Sequence, residues 1–126
     1  MQLEIEQLTM MTERRRAALG ALRAALDYCG YDLSAIMGTK CRERSVVDIR
    51  SIAWAVYKAE TGYSCQQLAQ DFNWDRTTIY CSVRRANDLR RYDRNFSDMF
   101  DSVQGAFINA LSAEQEKAKK GDSNNS

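Results

Sequence analysis

The sequence predicts an all-α protein, a compact multi-helix domain that contains a helix-turn-helix. Three observations lead there. The 126 residues include no proline, and the 44% that are hydrophobic are spread along the chain. That favours ordinary globular helix, with turns made by glycine, Asn and Asp. Apolar residues recur at three- and four-residue spacing through most of the chain. Ser, Thr or Asp stands before several of these stretches and glycine after several, as helix caps do. A chain of this length fits one domain with one core.

Taken in order, residues 1–11 form a short amphipathic stretch. Thr12 is placed to cap a first helix whose buried stripe is Ala17, Leu19, Leu22, Ala25, Leu26 and Cys29, and Gly30 ends it. Leu33 to Met37 is a short turn of helix stopped by Gly38. Lys40-Cys41-Arg42-Glu43-Arg44 is a basic connector. Ser45 is expected to cap a long helix to about Thr61, with Val46, Ile49, Ile52, Ala53, Val56 and Tyr57 inward and Gly62 closing it. Ser64 caps a short helix, Cys65 to Phe72. Asn73-Trp74 is a turn, and Asp75 caps a helix reaching about Tyr92. Asn95 is expected to begin a last helix, on which Phe96, Met99, Phe100, Val103, Phe107, Ile108 and Leu111 repeat at helical spacing. The reading divides the chain into an N-terminal extension with the start of the first helix over 1–20, a domain over 21–112 and a charged tail over 113–126, with disorder expected from Gly121 onward. There is no internal repeat.

Composition excludes several function classes. No apolar run is long enough to span a membrane and no secretory signal is present, so the expected location is cytoplasmic. Cys29, Cys41, Cys65 and Cys81 form no close pair, and the chain has no histidine. Zinc binding is therefore not expected, and the thiols are expected to be reduced. Without histidine the commonest general base is missing. No nucleophile elbow, metalloprotease motif or phosphate loop occurs. The expectation is no enzyme, no cofactor, no metal and no bound nucleotide.

Net charge is only +1, but it is unevenly placed. Residues 1–39 carry net −1, residues 40–94 net +4 and residues 95–126 net −2. The basic centre coincides with the most informative segment, Ser64 to Arg85. There a capped short helix, with small Ala69 where two helices approach, is followed by a tight turn and a second capped helix. That is how a helix-turn-helix is built. At 100° per residue, Ile79, Ser82, Val83, Ala86 and Leu89 face one way on the second helix. Thr77, Tyr80, Cys81, Arg84, Asp88 and Arg91 face the other. The first turn, Asp75-Arg76-Thr77-Thr78, would enter a major groove first. There arginine can read guanine, a carboxylate can accept from cytosine N4, and threonine methyls can meet the thymine methyl. Arg84, Arg85 and Arg91 suit phosphates. The plainer reading makes Asp75 and Thr77 helix caps and the arginines a solvated face.

Trp74-Asp75-Arg76-Thr77-Thr78-Ile79 resembles the Arg-Asp-His-Thr-Thr-Val signature of the C-terminal DNA-binding domain (domain IV) of the bacterial replication initiator DnaA. Arg42-Glu43-Arg44 resembles that family's basic loop, and Arg50 and Lys58 its following basic helix positions. Asp27-Tyr28-Cys29-Gly30-Tyr31-Asp32-Leu33 resembles the approach to the loop. The resemblance runs from about Ala21 to Val103, with one residue fewer in the turn before Asp75. It implies sequence-specific binding of double-stranded DNA at a replication-origin box. Arg42 would enter the minor groove. Asp75, Arg76 and Thr77 would read the major groove. Arg50, Lys58, Thr78 and Cys81 would lie near the backbone or flanking bases. Arg44 of the basic loop, with Arg84 and Arg85 as read from the helix, completes the candidate contact set. Arg76 and Cys81 replace histidines of the family and Trp74 an arginine, which implies an altered site preference. The family's nucleotide-binding module has no counterpart here, which suggests an accessory role in replication or its regulation. The alternatives are a transcriptional regulator, or a protein-interaction module that keeps the fold without the DNA contacts. In the latter, Phe96, Met99, Phe100, Val103 and Phe107 would form a partner or dimer surface rather than core.

Overall fold

A computed structural model describes the backbone of residues 2–38 and 42–124 and the side chains of 13–38 and 42–115. The described residues form six helices and no strand: α1 Gln2–Tyr28, α2 Leu33–Gly38, α3 Arg44–Thr61, α4 Cys65–Phe72, α5 Arg76–Tyr92 and α6 Arg94–Asn124. No helix among the described residues is long and apolar enough to cross a membrane.

The chain is organised around α3. Every residue from Ile49 to Tyr57 is buried, so this helix is enclosed on all sides, as the central helix of a bundle must be. Ser51, Ala53 and Ala55 are small and let the surrounding helices come close. The Ser51 hydroxyl donates to the Val47 carbonyl at 2.9 Å, which satisfies a polar group that burial would otherwise penalise. Helices α1 and α6 make the most extensive pairing in the molecule, while α5 packs along α3. Leu22 and Leu26 of α1, Trp54 and Tyr57 of α3, and Phe100 and Phe107 of α6 are fully buried in this one core.

Local chemistry fixes most of the ends. At the end of α1, Gly30 has φ 91°. The Tyr31 amide donates to Leu26 at 2.8 Å and the Gly30 amide to Asp27 at 3.0 Å, the paired bonds of a Schellman cap. The Asp32 carboxylate accepts from the Ala35 amide at 3.0 Å and starts α2. Gly62 closes α3 at φ 77°.

Several expected boundaries move. The expected division at residue 20 lies within a first helix that the sequence already carries across it, and Ala18 is buried with Ala21 and Leu22. The extension is therefore continuous with the domain. Its backbone is helical from Gln2 onward, rich in Leu, Glu, Gln and Met, which favour helix. The Thr12 side chain and the pair Lys40-Cys41 lie outside the described residues. Helix α3 begins at Arg44 with Glu43 at the cap position and no side-chain cap bond, so Ser45 is inside the first turn rather than capping it. Helix α6 begins one residue early, because the Asp93 carboxylate accepts from the Phe96 amide at 3.1 Å. It shows no break at residue 113 and continues to Asn124. The Ala, Glu, Gln and Lys run that marked a disordered tail is also a strong helix-forming composition.

The aromatic stripe of α6 is core. Phe96, Phe100, Val103 and Phe107 are at most 5% exposed, and Met99 packs partly buried against the same cluster. Their burial within the chain fits the core reading of this stripe rather than the alternative of a partner or dimer surface.

Candidate nucleic-acid interface

Helix α4, the turn Asn73–Asp75 and helix α5 form a short helix, a three-residue turn and a longer helix. Each end is fixed by a specific bond. The Ser64 hydroxyl accepts from the Gln67 amide at 3.2 Å and caps α4. Asn73 adopts φ 56°, the left-handed conformation that Asn tolerates better than most side chains. The Trp74 amide then donates back to the Ala69 carbonyl at 3.1 Å. The Asp75 carboxylate accepts from the Thr78 amide at 3.1 Å and opens α5.

The two sides of α5 differ as the helical wheel requires. Ile79 and Ala86 are buried, and Ser82, Val83 and Leu89 are half-buried. The opposite side carries Thr77, Tyr80, Cys81, Arg84, Asp88 and Arg91, all exposed. Asp75, Arg76 and Thr78 of the leading turn are exposed as well. Arg76, Thr77 and Tyr80 join Cys65 around a shallow depression of about 270 Å³. Tyr80 is 55% exposed and is not among the expected contact residues, although it lies one helical turn after Arg76.

Asp75 meets both readings of its side chain. One carboxylate oxygen is occupied in the cap, while an ionised carboxylate has further acceptor capacity. Two substitutions separate the roles. Asp75→Ala should lower stability by about 1 kcal/mol through loss of the cap. Asp75→Asn should retain most of that stability, because Asn caps comparably, yet change any preference for cytosine. Urea unfolding of both variants checks the first expectation.

The remaining expected contact residues divide three ways. Arg42, just before α3, and Arg44, its first residue, are exposed. Lys58 is half-buried in the last turn of α3. Arg85 leaves the expected phosphate-binding group. Its Nη2 donates to the Asp48 carboxylate at 2.7 Å, and its Nη1 is buried without a partner. This guanidinium is directed at α3 and holds α5 to it.

Arg50 is the larger correction. It is 6% exposed, its Nε donates to the Ile36 carbonyl at 3.0 Å, and its guanidinium lies 4.5 Å from the Trp74 ring centroid. A side chain held this way does not present itself to DNA. Trp74 in turn donates its indole N–H to the Met37 carbonyl at 2.8 Å, and its ring meets Trp54 edge-on at 5.3 Å. Arg50 and Trp74 together pin the end of α2, from which the basic connector departs, to the turn that opens α5. The sequence reading missed this clamp. Its signals were an arginine inside the apolar run from Ile49 to Tyr57 and a tryptophan in a polar turn.

Behind α4, Asp71 joins three elements. Its carboxylate pairs with Arg15 of α1 at 3.2 Å. It also accepts from the Tyr57 hydroxyl and from Gln67 Nε2, both at 3.3 Å. Burial, with the adjacent Asp71 charge, pushes the Tyr57 phenol well above its ordinary range, so it remains a donor. Among the described residues no group of His, Cys, Asp and Glu is arranged to hold a metal ion.

Comparison with protein families, with curated proteins and with solved structures returned no match for this chain.

Proposed function

We propose that this chain binds double-stranded DNA in a sequence-specific manner through α4 and α5, acting as a helix-turn-helix. The observation that carries the reading is the leading turn of α5. It is capped, fixed in direction by the Trp74 clamp, and presents Asp75, Arg76, Thr77 and Thr78 to solvent. Side chains at the N-terminal end of a recognition helix are those that reach base edges. Arg84 and Arg91, farther along the same face, suit phosphates, where contacts position without specifying. Arg42 and Arg44 extend the basic surface from α3. The resemblance to domain IV of DnaA supports the same assignment, with Arg42 in the minor groove, and favours an accessory role in replication or its regulation. Arg50 is not part of the contact set and Arg85 contributes through α3.

The test is selection from random duplex DNA, followed by retesting of enriched sites at two salt concentrations. A motif containing guanine should emerge. Arg76→Ala should cost about 1–3 kcal/mol at one base position and relax it, because a bidentate guanine contact is lost. Arg84→Ala should weaken all sequences alike and flatten the salt dependence by about one unit of slope. A uniform loss of affinity in both variants would refute the division of roles. No enriched motif would refute sequence-specific binding.

A further inference from the structure

A second surface lies away from the exposed face of α5. Residues Arg16, Leu19, Gly20 and Arg23 are spaced i, i+3, i+4 and i+7, so they form one stripe along α1. That stripe is one wall of an open groove of about 700 Å³. Leu33 and Met37 of α2 form the facing wall, and Phe72 and Trp74 close it beside the α4–α5 turn.

Three features make the groove selective. First, Arg16 and Arg23 are exposed, and neither has an ion-pair, hydrogen-bond or ring partner among the described residues. They stand roughly 10 Å apart along the helix axis, from a rise of about 1.5 Å per residue. Second, the carboxylate of the lining residue Asp71 is turned inward. Its side chain is 7% exposed and neutralised by Arg15. Third, the space over Gly20 is open, since a Cβ there would meet nothing within 4 Å. The result is a partly apolar trough with, toward each end, a guanidinium that has no partner among the described residues.

We propose that this groove docks an acidic amphipathic segment of a partner protein, with apolar side chains in the trough and carboxylates on Arg16 and Arg23. Guanidinium–carboxylate pairs are directional and charge-assisted, and an apolar helix face seated in a groove is a common mode of peptide recognition. Duplex DNA fits less well, because a phosphodiester backbone gains nothing from a trough of Leu19, Leu33, Met37, Phe72 and Trp74. The groove shares Trp74 with the turn that opens α5, but Arg16, Gly20 and Arg23 are not part of the proposed DNA-reading face.

The test uses the full chain and a displayed library of random 12-residue peptides. Two variants accompany it, Gly20→Leu, which fills the trough, and the double variant Arg16→Glu with Arg23→Glu, which reverses its charge. All three positions are exposed, so circular dichroism should show unchanged helix content. Enriched peptides should combine Asp or Glu with Leu, Ile or Phe. Their affinity should fall at least tenfold in each variant and weaken with salt. Duplex DNA binding by Gly20→Leu should match the unsubstituted chain, so failure here is distinguishable from failure of the DNA reading. The proposal is overturned by absence of enrichment, by enrichment of basic peptides, or by peptides that bind both variants unchanged. Loss of DNA affinity in the charge-reversed variant, without acidic peptide binding, would assign the groove to DNA instead.

Discussion

Replacing Phe107 by alanine should destabilise the protein by about 3–5 kcal/mol, the usual cost of truncating a buried aromatic ring. Small domains have about 5–15 kcal/mol in total, so this one change should bring the chain near unfolding. Phe107 is fully buried, and its ring centroid lies 6.1 Å from that of Tyr57. Tyr57 in turn meets Phe72 edge-on at 5.2 Å and Tyr63 at 5.9 Å. The α6 ring therefore supports α3, which supports α4. The neighbouring Ile108 is 42% exposed, and Ile108→Ala should change stability by no more than about 0.5 kcal/mol. Urea unfolding of the two variants checks both values. Equal, small effects would return the aromatic stripe to the role of a docking surface.

That stripe shows what a sequence can and cannot convey here. Its spacing on one helix face was legible, because helical periodicity is a local property. Whether the face met this chain or another was not, because that depends on where α1 and α3 lie. The same division holds at the candidate interface. Ser64 and Asp75 were readable as caps, since the side chain of a cap bonds an amide only three residues ahead. The inward and outward sides of α5 were readable from its wheel. Arg50 and Arg85 were not. An arginine is ordinarily a surface residue, and their fates are set by Ile36, Trp74 and Asp48, which lie 14 to 37 positions away in the chain. Distant pairings of this kind leave no periodic trace. The continuous helix through residues 113–124 had the opposite cause. Charge density and helix propensity point in different directions for the same Lys, Glu and Ala residues, and the reading followed charge.

The second large effect is expected at Trp74. Truncation to alanine removes a ring seated between Arg50 and Trp54 and the indole donor to Met37. The ring is only half-buried, so the stability cost should fall near the lower end of the ~3–5 kcal/mol typical of aromatic-to-alanine changes. The functional consequence should exceed what that cost explains. Without the ring, the buried Arg50 guanidinium loses its cation–π contact, which is worth about 2 kcal/mol when desolvated. The turn that aims Asp75 and Arg76 then loses its tie to α2 and the basic connector. On the proposed reading, a specific site depends on a fixed distance between Arg42 and the leading turn of α5. Non-specific phosphate binding depends on charge alone. Trp74→Ala should therefore erase the difference between the selected site and random duplex at a temperature where the variant is still folded. Its salt dependence should stay close to that of the unsubstituted chain. Trp74→Phe, which keeps a ring for Arg50 but not the bond to Met37, should retain an intermediate preference. Full specificity in folded Trp74→Ala would show that Arg42 and the leading turn of α5 hold their positions without this clamp.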